Sequence, residues 1–251
     1  MKISFCLITL NEAANLPRAL KSCADLADEI VVLDSGSTDA TEEIAREHGA
    51  RFETQKWLGY VGQKNKVISL AQHEWVFSLD ADEELSPALC EEILALKKSA
   101  VSSGVSGFSM PRCVLFRGRW IRHGDWYPDR LVRLFRRDRA KFAGGQVHER
   151  LEISGEIQKL RGDLHHYSFT GTVRRDRDDK YARLWAEDKL AAGKSASPFA
   201  PAGHAVFRWL RCYVLRRGFL DGKPGWDVAR ICARETYLKY QLLLKMQQGK
   251  N

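Results

Sequence analysis

The apolar run Glu74-Trp75-Val76-Phe77-Ser78-Leu79 stops abruptly on Asp80-Ala81-Asp82, and this junction constrains the chain more than any other feature. A short apolar run of this kind reads as a buried strand. Carboxylates at its end belong in a crevice at a sheet edge, because burying them unpaired is costly. Two earlier apolar runs behave alike: residues 2–9 lead into Leu10-Asn11-Glu12, and residues 29–33 into Asp34-Ser35-Gly36-Ser37-Thr38-Asp39. Helical spacing follows at 11–24 (Asn11 as a candidate cap), 40–48, 62–71 and 86–98, with a short strand near 51–53. Strands alternating with helices predict βαβ units and a mostly parallel α/β sheet, with all three polar ends at one edge.

A small-residue break at 102–107 marks an internal boundary, and beyond it the pattern changes. Strands are predicted at 107–114, 130–135 and 163–168, and a strand with a turn at 146–156. A charged helix is predicted at 174–192. Pro198 and Pro201 mark a linker, after which the chain reads as helical from about 202, interrupted at 218–222 and at Pro224-Gly225. There is no internal repeat.

Charge is divided unevenly. Residues 1–107 carry 10 Lys+Arg and 17 Asp+Glu, and residues 108–251 carry 30 and 15, within a net +8. An acidic first part able to hold a cation, followed by a basic second part, points to an anionic partner. Nucleic acid, phospholipid head groups and a phosphorylated glycolipid all qualify, and a plain solvated basic surface is the competing reading. The six cysteines form no Cys-x-x-Cys pair, which argues against a zinc framework and fits a reducing compartment. Residues 1–5 run straight into a strand pattern without signal-peptide features, and no apolar run approaches a membrane span. A cytoplasmic location is expected, with contact against a membrane left open.

The carboxylates of Asp80 and Asp82 suit Mg²⁺ or Mn²⁺, hard ions that bridge to a diphosphate. Asp34 can hydrogen-bond a uracil or ribose edge, and Glu12 can accept from ribose hydroxyls. Gly36 permits close approach of a ligand, and Lys64 can reach phosphate as a point charge. Each has a structural alternative. Asp80-Ala-Asp82 can be an acidic surface turn, Asn11 a helix cap, Asp34-Ser-Gly-Ser good turn chemistry and Lys64 a solvated lysine. The dinucleotide glycine motif and the Walker phosphate loop are both absent.

Thr9-Leu-Asn-Glu12, Asp34-Ser-Gly-Ser-Thr-Asp39 and Ser78-Leu-Asp-Ala-Asp-Glu83 together resemble family 2 glycosyltransferases. The resemblance continues through Gly124-Asp-Trp-Tyr-Pro-Asp129, Arg130-Leu-Val-Arg-Leu-Phe135, Val147-His-Glu149 and His165-His166-Tyr-Ser, with Gly218-Phe-Leu-Asp-Gly222 near the C-terminus. That longer set is similar to the lipopolysaccharide core β-1,4-glucosyltransferase branch. It implies a GT-A (Rossmann-like) domain over residues 1–200, with a donor half to about 105 and an acceptor half from about 106. A basic helical appendage follows over 201–251. It also implies inverting transfer of one glucose from UDP-glucose to an inner-core heptose, with a divalent metal. The Gln-x-x-Arg-x-Trp signature of processive relatives is absent, which favours single transfer.

On that resemblance Asp82 is the direct metal ligand and Asp80 contacts ribose or metal. Thr9, Asn11, Glu12, Asp34, Gly36, Ser37 and Lys64 belong to the nucleotide-sugar site. A histidine completes the metal site, His166 being preferred to His165. Glu149, following Gly144 and Gly145, is the candidate base, and Asp129 the runner-up. Trp126, Tyr127 and His148 are assigned to the acceptor, His148 also as a group that orients Glu149. The mixed aromatic, aliphatic and arginine run 206–217 reads as an interfacial helix on anionic lipid, placing the enzyme at the inner face of the cytoplasmic membrane; an ordinary packed helix is the alternative. A rhamnosyl- or galactosyltransferase of capsule or O-antigen is the nearest other enzyme. A basic nucleic-acid-binding protein and an inactive sugar-nucleotide-binding protein are the readings from other classes.

Overall fold

A computed structural model describes residues 1–144, 149–167 and 175–248. The chain divides into two units, Met1–Arg112 with Asp129–Tyr167 and Cys113–Pro128 with Ser168–Asn251.

The first unit begins with β1 (Ile3–Thr9), α1 (Leu16–Cys23), β2 (Glu29–Asp34), α2 (Thr41–Glu47) and β3 (Arg51–Thr54). It continues with α3 (Gly59–Leu70), β4 (Trp75–Ser78), β5 (Glu83–Leu85) and α4 (Pro87–Lys98). Strand β6 (Val105–Phe116) runs on into the second unit, where β7 (Arg119–Ile121) folds back on it. The first unit resumes with β8 (Asp129–Arg136), β9 (Ala140–Gly144), β10 (Glu149–Ile153), β11 (Glu156–Lys159) and β12 (Leu164–His166).

The main sheet has the order β3-β2-β1-β4-β8-β6-β12-β5, with β7 and β11 also paired to β6, while β9 and β10 form a separate ribbon. Pairings are parallel from β3 to β4 and antiparallel from β4 through β8 to β6. The predicted α/β sheet flanked by helices is present.

Alternation along β1 explains the two-sided core. Ile3, Phe5 and Leu7 join the apolar stripe of α1 (Leu16, Ala19, Leu20, Cys23) and Leu89 and Ile93 of α4. Cys6 faces the other way, with Val31, Val76 and Phe135 under Val67 and Ile68 of α3. Both faces are covered, which is why these strands read as unbroken apolar runs. Phe5 and Phe77 stack at 4.8 Å across β1 and β4. Helix α4 starts where the sequence signals it: the Ser86 hydroxyl accepts from the Leu89 N–H at 3.3 Å, and Pro87 occupies the first turn.

The second unit contains α5 (Arg175–Ala191), α6 (Ala200–Leu210) and α7 (Gly222–Gln248). A π-helical turn at Arg211–Leu215 and a 3₁₀ turn at Gly218–Asp221 join α6 to α7. Its core holds Phe116, Ile121, Cys212, Val228, Ala229 and Cys232. The Asp125 side chain, only 1% exposed, pairs with Arg208, Arg211 and Arg216 at 2.8, 2.9 and 3.3 Å. Among the described residues no helix is long and apolar enough to cross a membrane.

Three sequence expectations are corrected here. Asn11 does not cap α1, which starts at Leu16 after Asn15. Asn11 instead adopts φ 55°, and its side-chain oxygen accepts from the Thr38 N–H at 2.9 Å. The run 206–217 is not one regular helix: α6 ends at Leu210 and a π turn follows at Arg211–Leu215. Pro224-Gly225 does not interrupt α7. The proline lies in its first turn, where an N–H has no intrahelical partner to lose.

Candidate active site

The three polar strand ends meet within the first unit, since β2, β1 and β4 lie side by side and parallel. Asp34, at the end of β2, is 2% exposed and saturated. Its Oδ1 accepts from the Gly36 and Ser37 N–H groups at 2.8 and 2.6 Å, and its Oδ2 from the Thr9 and Ser37 hydroxyls at 2.7 and 2.6 Å. Burial works to raise this carboxyl, but the bonds from Ser37, Thr9 and Gly36 outweigh it and hold it below the usual carboxylate range. Gly36 sits at φ 100°, which only glycine adopts readily. Thr9, Asp34, Gly36 and Ser37 thus shape the loop themselves. Asn11 closes it from the loop after β1, its N–H donating to the Ser37 hydroxyl at 2.7 Å.

Asp34→Ala is expected to cost ~1–3 kcal/mol at pH 7, the price of leaving buried donors unpaired. Because the folded carboxyl titrates below its unfolded value, this contribution is full above about pH 4 and fades as pH falls further. Urea titrations of both proteins from pH 7 to pH 3 should show the gap narrowing; a constant gap would contradict the hydrogen-bond account.

The two aspartates after β4 have different surroundings. Asp80 Oδ1 meets Lys64 Nζ at 3.1 Å and its Oδ2 meets Arg133 Nη2 at 2.5 Å. Lys64 also pairs with Glu149 Oε1 at 2.8 Å, and Arg133 with Glu83 Oε1 at 2.6 Å. Arg112 extends the series, 3.8 Å from Glu83 and 2.6 Å from Asp129. The result is a chain of alternating charge, Glu149–Lys64–Asp80–Arg133–Glu83–Arg112–Asp129, which links the two candidate bases through the acidic loop. Burial acts to raise the Asp80 carboxyl, yet Arg133 and Lys64 overcome it and hold Asp80 far below the usual range. Burial pushes Glu83 up, reinforced by Asp80 and opposed by Arg133 and Arg112.

Asp82 stands apart from these cations. Its Oδ2 lies 3.2 Å from His166 Nε2. Strand β12 delivers this histidine by pairing antiparallel to β5, with His166 opposite Glu83 and His165 opposite Glu84. The Tyr167 N–H donates to the Asp82 carbonyl at 2.9 Å, its hydroxyl donates to Glu84, and Arg18 lies 3.5 Å over its ring. The other ring nitrogen of His166, Nδ1, is buried and has no hydrogen-bond partner among the described residues. Glu12 adds negative potential: burial, Asp82, Asp39 and Asp80 together push its carboxyl up against a hydrogen bond from Asn15. The Asp82 carboxylate, the His166 Nε2 that faces it and an excess of negative charge form a donor set that fits Mn²⁺ or Mg²⁺.

Lys64 departs from its expected surroundings. It is neither solvated nor open to a phosphate but 4% exposed, held by two carboxylates and 5.2 Å from the Phe142 ring centroid. Trp126 and Tyr127 lie in the second unit, where Trp126 packs edge-on against Phe116 at 5.3 Å. His148 falls outside the described residues. Glu83, Arg112 and Arg133 were missed by the sequence reading. The available signal was a single arginine flanked by Leu131, Val132, Leu134 and Phe135, since a charge in such a strand needs a buried partner.

A family model described as glycosyl transferase family 2 matches residues 4–175. The chain is a family 2 glycosyltransferase. An uncharacterized glycosyltransferase of Rickettsia prowazekii, RP128, is 32% identical over 248 residues, covering 95% of this glycosyltransferase and 85% of the relative. The lipopolysaccharide core biosynthesis glycosyltransferase LpsC of Rhizobium meliloti is 29% identical over 259 residues, covering 96% and 94%. Among solved structures, glucosyl-3-phosphoglycerate synthase from Mycobacterium tuberculosis, in complex with Mn²⁺, UDP and phosphoglyceric acid, superposes with a TM-score of 0.50 at 18% identity, covering 78% of this chain and 80% of that one. That likeness shows the fold, which is GT-A. The family assignment makes this glycosyltransferase an enzyme and displaces the nucleic-acid-binding reading of its basic half.

Proposed function

We propose that the enzyme transfers a single sugar, glucose from UDP-glucose, with inversion to a heptose of the lipopolysaccharide inner core. The Asp82–His166 pair at the carboxyl edge of β4 carries this reading, because it gathers metal donors where open α/β sheets bind ligands. The similarity to LpsC over nearly the whole chain supports the core oligosaccharide as acceptor. Asp82 and His166 would hold the cation, which when bound neutralises charge developing on the leaving diphosphate. Thr9, Asn11, Glu12, Gly36 and Ser37 line the nucleoside side, with Asp34 fixing their loop. Asp80 and Lys64 act as the electrostatic floor. Trp126, Tyr127 and His148 stay assigned to the acceptor on the resemblance alone.

In the transfer, the acceptor oxygen bonds to the sugar's anomeric carbon as the bond to the diphosphate oxygen breaks. The hydroxyl proton passes to a carboxylate, for which Glu149 is the assignment and Asp129 the alternative. Both are partly exposed and each is anchored by one cation, Lys64 or Arg112. Glu149→Gln is expected to lower kcat about 10²–10⁴-fold with donor affinity nearly unchanged. Single-turnover assays on both variants decide between them; if only Asp129→Asn behaves this way, Asp129 is the base.

The reading as a whole is tested with purified enzyme, Mn²⁺ and a panel of UDP- and dTDP-sugars, following nucleotide release with and without truncated core oligosaccharide. Acceptor-dependent release from UDP-glucose is expected. Release from another sugar, or with no dependence on the oligosaccharide, would overturn the donor or acceptor assignment respectively. We further place the enzyme on the cytoplasmic face of the inner membrane, where a glycolipid acceptor and a soluble nucleotide sugar meet.

A further inference from the structure

We propose that an arginine-lined cavity in the C-terminal unit seats the phosphate of an anionic membrane lipid, while the apolar face beside it enters the lipid surface. This deepens the membrane placement above and does not depend on the donor or acceptor chemistry.

The cavity measures about 520 Å³, and its lining includes Arg117, Arg230, Arg234, Trp209, Val206 and Ile231. Arg117 is paired with Asp227, which also lines the cavity. Arg230 and Arg234 lie one turn apart on α7, are exposed, and make no ion pair among the described residues. Two like charges at i and i+4 repel each other. An oxyanion between them removes that repulsion and accepts from both guanidinium forks, a geometry that suits phosphate.

The surroundings favour a lipid over a free phosphate. Phe207 and Leu210 at the end of α6, and Val214, Leu215, Phe219 and Leu220 in the turns that join it to α7, are between 43% and 68% exposed. Scattered exposed apolar residues are ordinary, but six in fourteen consecutive positions form a contact surface. Trp209 connects this face to the cavity. Its ring lies 5.1 Å from both Tyr213 and Trp226, and Tyr213 lies 6.3 Å from Phe219. Part-buried aromatics beside cations suit the head-group region, where an amphipathic ring has both an apolar and a wet neighbour. Residues 199–234 carry seven Lys+Arg against two Asp, so the segment is complementary to an anionic surface. Arg208, Arg211 and Arg216 already share Asp125. The cations left for a lipid phosphate are therefore chiefly those of α7.

The test is co-sedimentation of the full chain with phosphatidylcholine vesicles and with equal parts phosphatidylcholine and phosphatidylglycerol. Wild type should partition to the anionic vesicles, more weakly as salt rises. Arg230→Gln with Arg234→Gln should weaken that partition about thirtyfold, the effect of losing two arginines next to a charged surface. Phe207→Ser with Leu215→Ser should weaken it at every salt concentration. Circular dichroism melts of both double variants should match wild type; if a variant melts early, the single substitutions Arg234→Gln and Leu215→Ala replace it, with about a fivefold loss expected for the arginine.

Equal binding to neutral vesicles, or anionic binding indifferent to the α7 arginines, would overturn the proposal. So would inorganic phosphate binding through those arginines with no vesicle binding, which would make the cavity a free-phosphate site. Sugar transfer to a soluble acceptor, measured on the same variants, is expected to persist. Its absence from wild type as well would sink the functional reading and leave the lipid result standing.

Discussion

Asp82→Ala is expected to lose transfer by about 10³-fold or more, the scale of losing several kcal/mol of charge stabilisation at a leaving diphosphate. The fold should survive, because the Asp82 side chain is 29% exposed and its one ion pair among the described residues is with a histidine. Asp80→Ala should fail differently. It strips a carboxylate from Lys64 and Arg133, whose side chains are 5% and 6% exposed, so the buried cations lose their shared partner. Destabilisation should then accompany inactivity. Urea denaturation beside donor-turnover assays separates the two outcomes. Substantial turnover by Asp82→Ala with Mn²⁺ or Mg²⁺ would remove the metal role. His166→Ala should follow Asp82→Ala in character, with a smaller loss if the cation retains its carboxylate.

Arg133→Met is expected to destabilise the enzyme by ~3–5 kcal/mol, the usual cost of removing one partner from a buried ion network. For a chain of this size that corresponds to a melting temperature roughly 10 °C lower. Arg133 joins Asp80 and Glu83 at 2.5 and 2.6 Å, and Glu83 is fully buried. Without the guanidinium, two carboxylates face each other in a poorly solvated site. The companion variant Arg133→Met with Glu83→Leu should recover much of the loss, since an apolar pair of suitable volume can replace a buried ion pair. As a contrast, Arg46→Ala breaks the exposed pair with Glu42 at 2.8 Å and should cost no more than ~0.5 kcal/mol. A small Arg133→Met effect, within the range of the surface control, would refute the view that this network holds the acidic loop in place.

The parts of the site that could be read from sequence are those whose signal is local. Asp80 and Asp82 announce themselves as carboxylates at the end of an apolar strand, and Asp34-Ser-Gly-Ser as a turn with acceptors and a glycine that lets a ligand approach closely. Partners across the sheet leave no such trace. Lys64 lies on α3 and Glu149 on β10, and nothing between them in the chain tells that they meet at 2.8 Å. His165 and His166 are chemically equal neighbours; alternation along β12 and its register on β5 put His166 beside Asp82. The run 206–217 shows the same limit. Its composition reads as an interfacial helix, but Asp125, far upstream, draws three of its arginines inward.

Local sequence determined that this chain forms an α/β sheet with acidic and hydroxyl-bearing loops at one edge, because strand and helix periodicity and turn chemistry act over a few residues. Only the tertiary structure decided which carboxylates are neutralised and which stay available. Coulomb energy depends on distance and burial, and both are set by strand order and register rather than by spacing along the chain. That is why two aspartates separated by one alanine do different work, Asp80 locked between Lys64 and Arg133 and Asp82 facing His166.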